Sequence, residues 1–200
     1  MRADRQSGAS AAAELAPPPS AAALRLASLG EPAAAARITM LYLQSFEGTK
    51  VDYPRLIGWL RAVLALDPGS EYPLFAAARV FAEVPDAARA RSMLEFIHEQ
   101  YLLDPNRRWP WLAHAALLAK HRLHDLPLAL RYATAIDRYT TARDLPLWAT
   151  QMQIFILEDM NELEAARILL GGLLESGKVR DADEARFLER KLEELERRAQ

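Results

Sequence analysis

Leu66–Asp67–Pro68 returns as Leu103–Asp104–Pro105 after 37 residues, and each copy closes an amphipathic run. Proline cannot continue a helix, and it biases the residue before it away from helical backbone, so both triplets read as helix ends. The tract from Glu71 to Pro105 reads as two antiparallel helices with a turn at Val84–Pro85–Asp86. Ser70 is a good N-cap for the first helix, and Glu71 in its first turn complements the helix dipole. Pro73 falls near that start, where a missing N–H is tolerated. Leu74, Ala78 and Phe81 recur at i, i+4 and i+7, on one helical face. Asp86 caps the second helix, whose apolar stripe is Ala90, Met93, Leu94, Ile97 and Tyr101. A helix pair of this size cannot bury its apolar face alone, so neighbouring pairs must stack. The expected fold is an all-α solenoid of about nine helices.

Composition supplies the core for such a fold. The chain has 200 residues, of which 51% are hydrophobic. Its net charge of −2, from 25 basic and 27 acidic residues, argues against nucleic acid as a bulk partner. Cysteine is absent, which excludes disulfides, thiolate catalysis and Cys-ligated zinc. No apolar run reaches the length of a transmembrane helix. Residues 1–20 carry Arg2 and Arg5 and then Gly, Ser, Ala and Pro, without the apolar stretch of a signal peptide. That segment, with its triple proline at 17–19, is expected to be a disordered tail.

Along the chain, Ser20 is expected to cap a short helix over Ala21–Leu29 ended by Gly30, and a second helix covers 32–46. Glu47–Lys50 is a turn, and a helix from about Tyr53 carries Leu56, Leu60, Val63 and Leu64 to Leu66. After Glu71–Pro105, a helix within 106–125 places Trp111, Ala115 and Leu118 on one face, with Leu112, Ala116 and Ala119 beside it. Pro127 and Pro146 open the next two helices, the second carrying Trp148, Met152 and Phe155 in register. Asn161 is the expected cap of a helix over Leu163–Leu173, where Gly171 and Gly172 each cost about 1 kcal/mol relative to alanine. A last helix spans about 181–198, with a narrow stripe of Ala185, Leu188, Leu192 and Leu195 and an otherwise charged surface, as a terminal solenoid helix needs. The expected division is a tail at 1–20, N-terminal capping helices at 21–50, a repeat array at 51–177 and a C-terminal capping helix at 178–200.

Trp111 and Trp148 also lie 37 apart, and Ala90, Ala129 and Ala165 are separated by 39 and 36. With Leu74, Ala78, Phe81, Ala90 and Pro105 in one unit, Trp111, Ala115, Leu118 and Ala129 in the next, and Trp148, Met152, Phe155 and Ala165 in a third, residues 53–176 resemble a degenerate tetratricopeptide repeat array. The resemblance implies a right-handed superhelix of antiparallel helix pairs that binds a protein or peptide in a concave groove lined by the first helices. VDYPRLIGWL and QMQIFILEDMNELEAARILLGGLLESG further resemble small proteobacterial repeat proteins, a likeness that implies no activity. Such proteins often carry an N-terminal membrane anchor, which residues 1–20 do not show. The cytoplasm is the default compartment, and membrane-surface or periplasmic residence is compatible with the same sequence.

Arg107, Arg108, Trp109 and Trp111 are the candidate partner-binding residues. Two arginines oppose the dipole at a helix N-terminus, and Trp and Arg are favoured interface anchors. The competing reading has Trp111 in the core and the arginines stacked on Trp109. His98, His114, His121 and His124, with Asp125 beside the last, lack the tight geometry of a metal site and read as surface or interhelical histidines. Glu158 and Asp159 point about 100° apart on a helix and read as ion-pair partners, Asp159 toward Arg143 or Arg167. The six tyrosines read mainly as interhelical packing. No catalytic or cofactor-binding motif is present. The expected function is a non-enzymatic interaction or assembly module without a cofactor. Self-association through the 181–198 stripe and an enzyme are the alternatives.

Overall fold

The computed structural model describes residues 15–46 and 51–199. The turn expected at Glu47–Lys50 and the first fourteen residues of the expected tail lie outside this range. Among the described residues there are ten α-helices and no strand. The chain divides into two compact units, residues 1–73 and 74–200.

In the first unit, α1 (Ala21–Ala27) is capped as expected, with the Ser20 hydroxyl accepting from the Ala23 N–H at 3.1 Å. Leu29 and Gly30 then adopt left-handed backbone, φ 51° and 90°, and turn the chain into α2 (Pro32–Gln44). Both helices pack on α3 (Tyr53–Leu66), whose Leu56, Leu60 and Val63 are fully buried. From residue 15 onward the expected tail is a packed strap along α3. Leu15 is buried, Arg55 donates to its carbonyl at 3.0 Å, and the Trp59 indole donates to the Ala16 carbonyl at 2.8 Å. The Pro18 ring sits against Gly58 so closely that a Cβ there would lie 2.6 Å from the Pro18 Cγ.

The second unit opens within α4 (Tyr72–Ala76), one residue later than a Ser70 cap predicts. The helix widens into one π turn over Ala77–Phe81, closed by the Ala82 N–H on the Ala77 carbonyl at 2.8 Å. Then follow α5 (Ala87–Leu103), α6 (Pro105–His121), α7 (Leu126–Tyr139), α8 (Leu147–Asp159), α9 (Leu163–Glu175) and α10 (Ala182–Ala199), each packed on the next. Asp86 caps α5 through the Ala88 and Arg89 N–H groups, and Asp125 caps α7 through Leu128 at 2.9 Å. At Asp104 one residue ends α5 and precedes Pro105 at the first position of α6, so the reversal needs no loop.

Side-chain bonds between successive repeats span 33–36 residues, at or just below the 36–39 spacing read from the sequence. Lys191–Glu158 spans 33 residues, Arg91–Asp125 34, Asn106–Thr141 35 and Arg131–Glu95 36. The α5 stripe of Ala90, Met93, Leu94, Ile97 and Tyr101 is buried in full, as are Leu74, Ala78 and Phe81 before it. The unit is thus a consecutively packed, repeat-like helical array.

Three expectations change. Trp148 does not anchor the core: α8 is buried nearly all round, through Ala149, Thr150, Gln151, Met152, Gln153, Ile154, Ile156 and Leu157, and Trp148 is left on its outer side. Asn161 does not cap α9. It takes left-handed backbone at φ 60°, which Asn tolerates better than most residues, and Glu162 becomes the N-cap. The α10 stripe is already covered, because Leu188 and Leu195 close a cluster with Ile154, Leu157, Ala166, Leu170 and Leu173.

Candidate interaction surface

The start of α6 separates residues that are adjacent in sequence. Arg107 stays exposed and pairs with Asp104 at 3.5 Å. Arg108 turns inward, is only 7% exposed, and donates from Nη1 to the Gln100 carbonyl at 2.7 Å and to Gln100 Oε1 at 3.4 Å. Burial holds its guanidinium below the usual arginine range, and Asp104 opposes that shift. Arg108 therefore ties α6 to the last turn of α5.

Trp109 and Trp111 stand two residues apart, about 200° around a helix, and so reach opposite neighbours. Trp111 meets Phe75 of α4 edge-on, with ring centroids 6.1 Å apart at 83°. Trp109 meets Trp148 of α8 at 5.5 Å and 60°. Phe75 is 43% exposed and Trp148 49%, while the two α6 tryptophans are half-buried. The Trp111 indole N–H is buried with no acceptor among the described residues. The four rings make a row across α4, α6 and α8. Phe75, Trp111 and Trp148 follow one another at 36 and 37 residues, so the row repeats with the fold. Sequence reasoning passed over Phe75 and read Trp148 only as in register with Met152 and Phe155, although this spacing was the signal for both.

The other candidates separate as well. His114 Nε2 lies 3.6 Å from Glu83 Oε1; burial and the Arg79 charge push its pKa below the ordinary value, and Glu83 works the other way. His98 packs on Tyr132 at 5.2 Å and is likewise held low by burial, then by Arg131. His121 and His124 are exposed, His124 on left-handed backbone at φ 51°. Among the described residues no group of three His, Asp or Glu side chains could hold a metal ion.

Glu158 and Asp159 do form ion pairs, Asp159 with another partner than expected. Glu158 binds Lys191 at 2.7 Å and also Arg198; Asp159 binds Lys120 rather than Arg143 or Arg167, and Arg167 pairs with Glu164. Of the tyrosines, Tyr53, Tyr101 and Tyr132 are buried, whereas Tyr42, Tyr72 and Tyr139 are exposed. Tyr101 donates to the Ala135 carbonyl at 2.8 Å and shares a 3.0 Å bond with Thr140, joining α5 to the end of α7.

No helix among the described residues is long and apolar enough to cross a membrane. No family model, curated protein or solved structure matches this chain.

Proposed function

We propose that this chain is a non-enzymatic protein-binding or scaffold module, a degenerate tetratricopeptide-like right-handed solenoid that takes a partner peptide or helix along its first-helix side. The aromatic row of Phe75, Trp111, Trp109 and Trp148 carries this reading, because exposed aromatic rings set on rigid helices act as interface anchors. Phe75 and Trp148 are the contact residues and Trp109 and Trp111 their backing. Arg107 lies at the rim, where a charge steers orientation more than affinity. Arg108 serves the fold and not the partner.

Affinity capture from native extract, scored by mass spectrometry, tests this with an F75A/W148A variant whose helicity is checked by circular dichroism. A protein held by the parent and lost by the folded variant supports the row as its site. The same protein held equally by both removes the row from the binding surface. A concentration-dependent mass that falls to monomer in the variant would replace the partner with a second copy of the chain.

A further inference from the structure

We infer that the cleft between the α7–α8 connection and the α9–α10 connection binds the phosphate group of a small phosphate monoester. Its volume is about 480 Å3, and its wall holds Thr140, Thr150, Arg143, Lys178 and Arg180. A cleft of that size accepts a small organic phosphate. This site is separate from the aromatic row and independent of the function proposed for it.

Three observations converge on an anion. Arg143, Lys178 and Arg180 make no ion pair or side-chain hydrogen bond among the described residues, although most other arginines of this unit are paired. No carboxylate lines the cleft. The acidic groups on its flanks are held elsewhere: Asp181 caps α10 through the Asp183 and Glu184 N–H groups, both at 2.9 Å, and Glu184 accepts from Gln151 at 3.0 Å. Asp144, in the same connection as Arg143, lies outside the lining.

The second observation is Thr150. It lines the cleft at 8% exposure, and its hydroxyl has no hydrogen-bond partner among the described residues. The hydroxyl is not among the sealed, unpartnered polar atoms of the fold, so it is open to the cleft. The third is the N-terminus of α8, a 13-residue helix whose first residue, Leu147, also lines the cleft. Pro146 occupies its N-cap and offers no side-chain acceptor; the Ala149 N–H bonds the Pro146 carbonyl at 3.0 Å, which leaves the Leu147 and Trp148 N–H groups for a ligand.

The wall is also fixed in place. Thr140 is tied to Tyr101, and the Thr141 N–H donates to Asn106 Oδ1 at 2.8 Å, which braces the α7–α8 connection against the α5–α6 junction. Three unneutralised cations and a positive helix end match a dianion better than a single carboxylate.

Isothermal titration calorimetry of the full chain at constant ionic strength, with inorganic phosphate and with O-phosphoserine, tests the assignment. Saturable one-to-one binding is expected, weakened about tenfold or more by R143Q/R180Q and several-fold by the shape-matched T150V. K178Q alone, at an exposed position, keeps the test readable if either of those variants unfolds. Absence of saturable binding up to about 10 mM, or affinities equal across the folded variants, would overturn the site. A phosphoserine peptide binding about tenfold tighter than O-phosphoserine would overturn the small-molecule ligand.

Discussion

Arg107 and Arg108 share a residue type, a helix turn and a formal charge, yet substitution should separate them. Arg108 is buried on Gln100, and truncation to alanine leaves that carbonyl and amide without their charged donor. R108A should lower unfolding stability by about 2 kcal/mol, the usual cost of a lost hydrogen bond to a charged group. R107A removes a half-exposed pair with Asp104 and should change stability by about 0.5 kcal/mol or less. Urea denaturation of the two variants side by side reads the difference. Gly58 gives a second prediction at this scale. An alanine there gains at most about 1 kcal/mol of helix propensity but meets a rigid proline ring, and overpacking of that kind costs about 1–3 kcal/mol. G58A should free the strap, seen as faster elastase cleavage around Ala16 by mass spectrometry. Unchanged cleavage would show that Pro18 can shift without releasing Leu15. Neither feature was readable from sequence. A charged side chain reads as surface unless its acceptor is known, and a proline-rich stretch reads as a tail unless its receptor is known.

The element scale reverses the sign of a glycine substitution. Gly171 and Gly172 lie within α9, and a Cβ built at either meets nothing within 4 Å. Close helix packing therefore does not explain them, and their cost in backbone entropy stands uncompensated. G171A/G172A should stabilise the protein by about 1 kcal/mol per site, measured as a raised Tm and urea midpoint. A fall in both would mean that α9 needs its local flexibility to pack on α10. Elements were the most legible level of this chain. The α5 stripe was correct residue by residue because its opposite face is polar, so the 3.6-residue period stands out. Caps at Ser20 and Asp86 were legible for the same local reason, a short acceptor placed before a helix, whereas the Asp125 cap of α7 was not read. α8 failed because it is apolar on nearly every side and buries Thr150, Gln151 and Gln153 besides. A helix without a polar face has no period to read, and Trp148 could not be assigned a side.

Across the repeat-like unit, stacking replaces one large core with a series of interfaces, and two of these interfaces hold a histidine. His98 lies in α5 beside Tyr132 of α7, and His114 lies in α6 beside Glu83. Burial is the first cause of a depressed pKa in both, reinforced by Arg131 and Arg79 and opposed by Glu95 and Glu83. The folded state thus holds both imidazoles neutral at a pH where the unfolded chain, at the ordinary value of 6.5, already takes up protons. As pH falls through 6.5 the unfolded state binds more protons than the folded one, and stability is lost until the depressed folded values are reached. The carboxylates held low in the fold, Asp125, Glu164 and Glu194, start from ordinary values of 3.8 and 4.5, so their loss sets in at lower pH than the onset of the histidine effect. The urea midpoint should therefore drop between about pH 7.5 and 5.5, and H98Q/H114Q should flatten that drop. Equal slopes in parent and variant would assign the pH dependence to groups outside these interfaces. A flattened slope would make the neutral histidines part of what holds successive helices together.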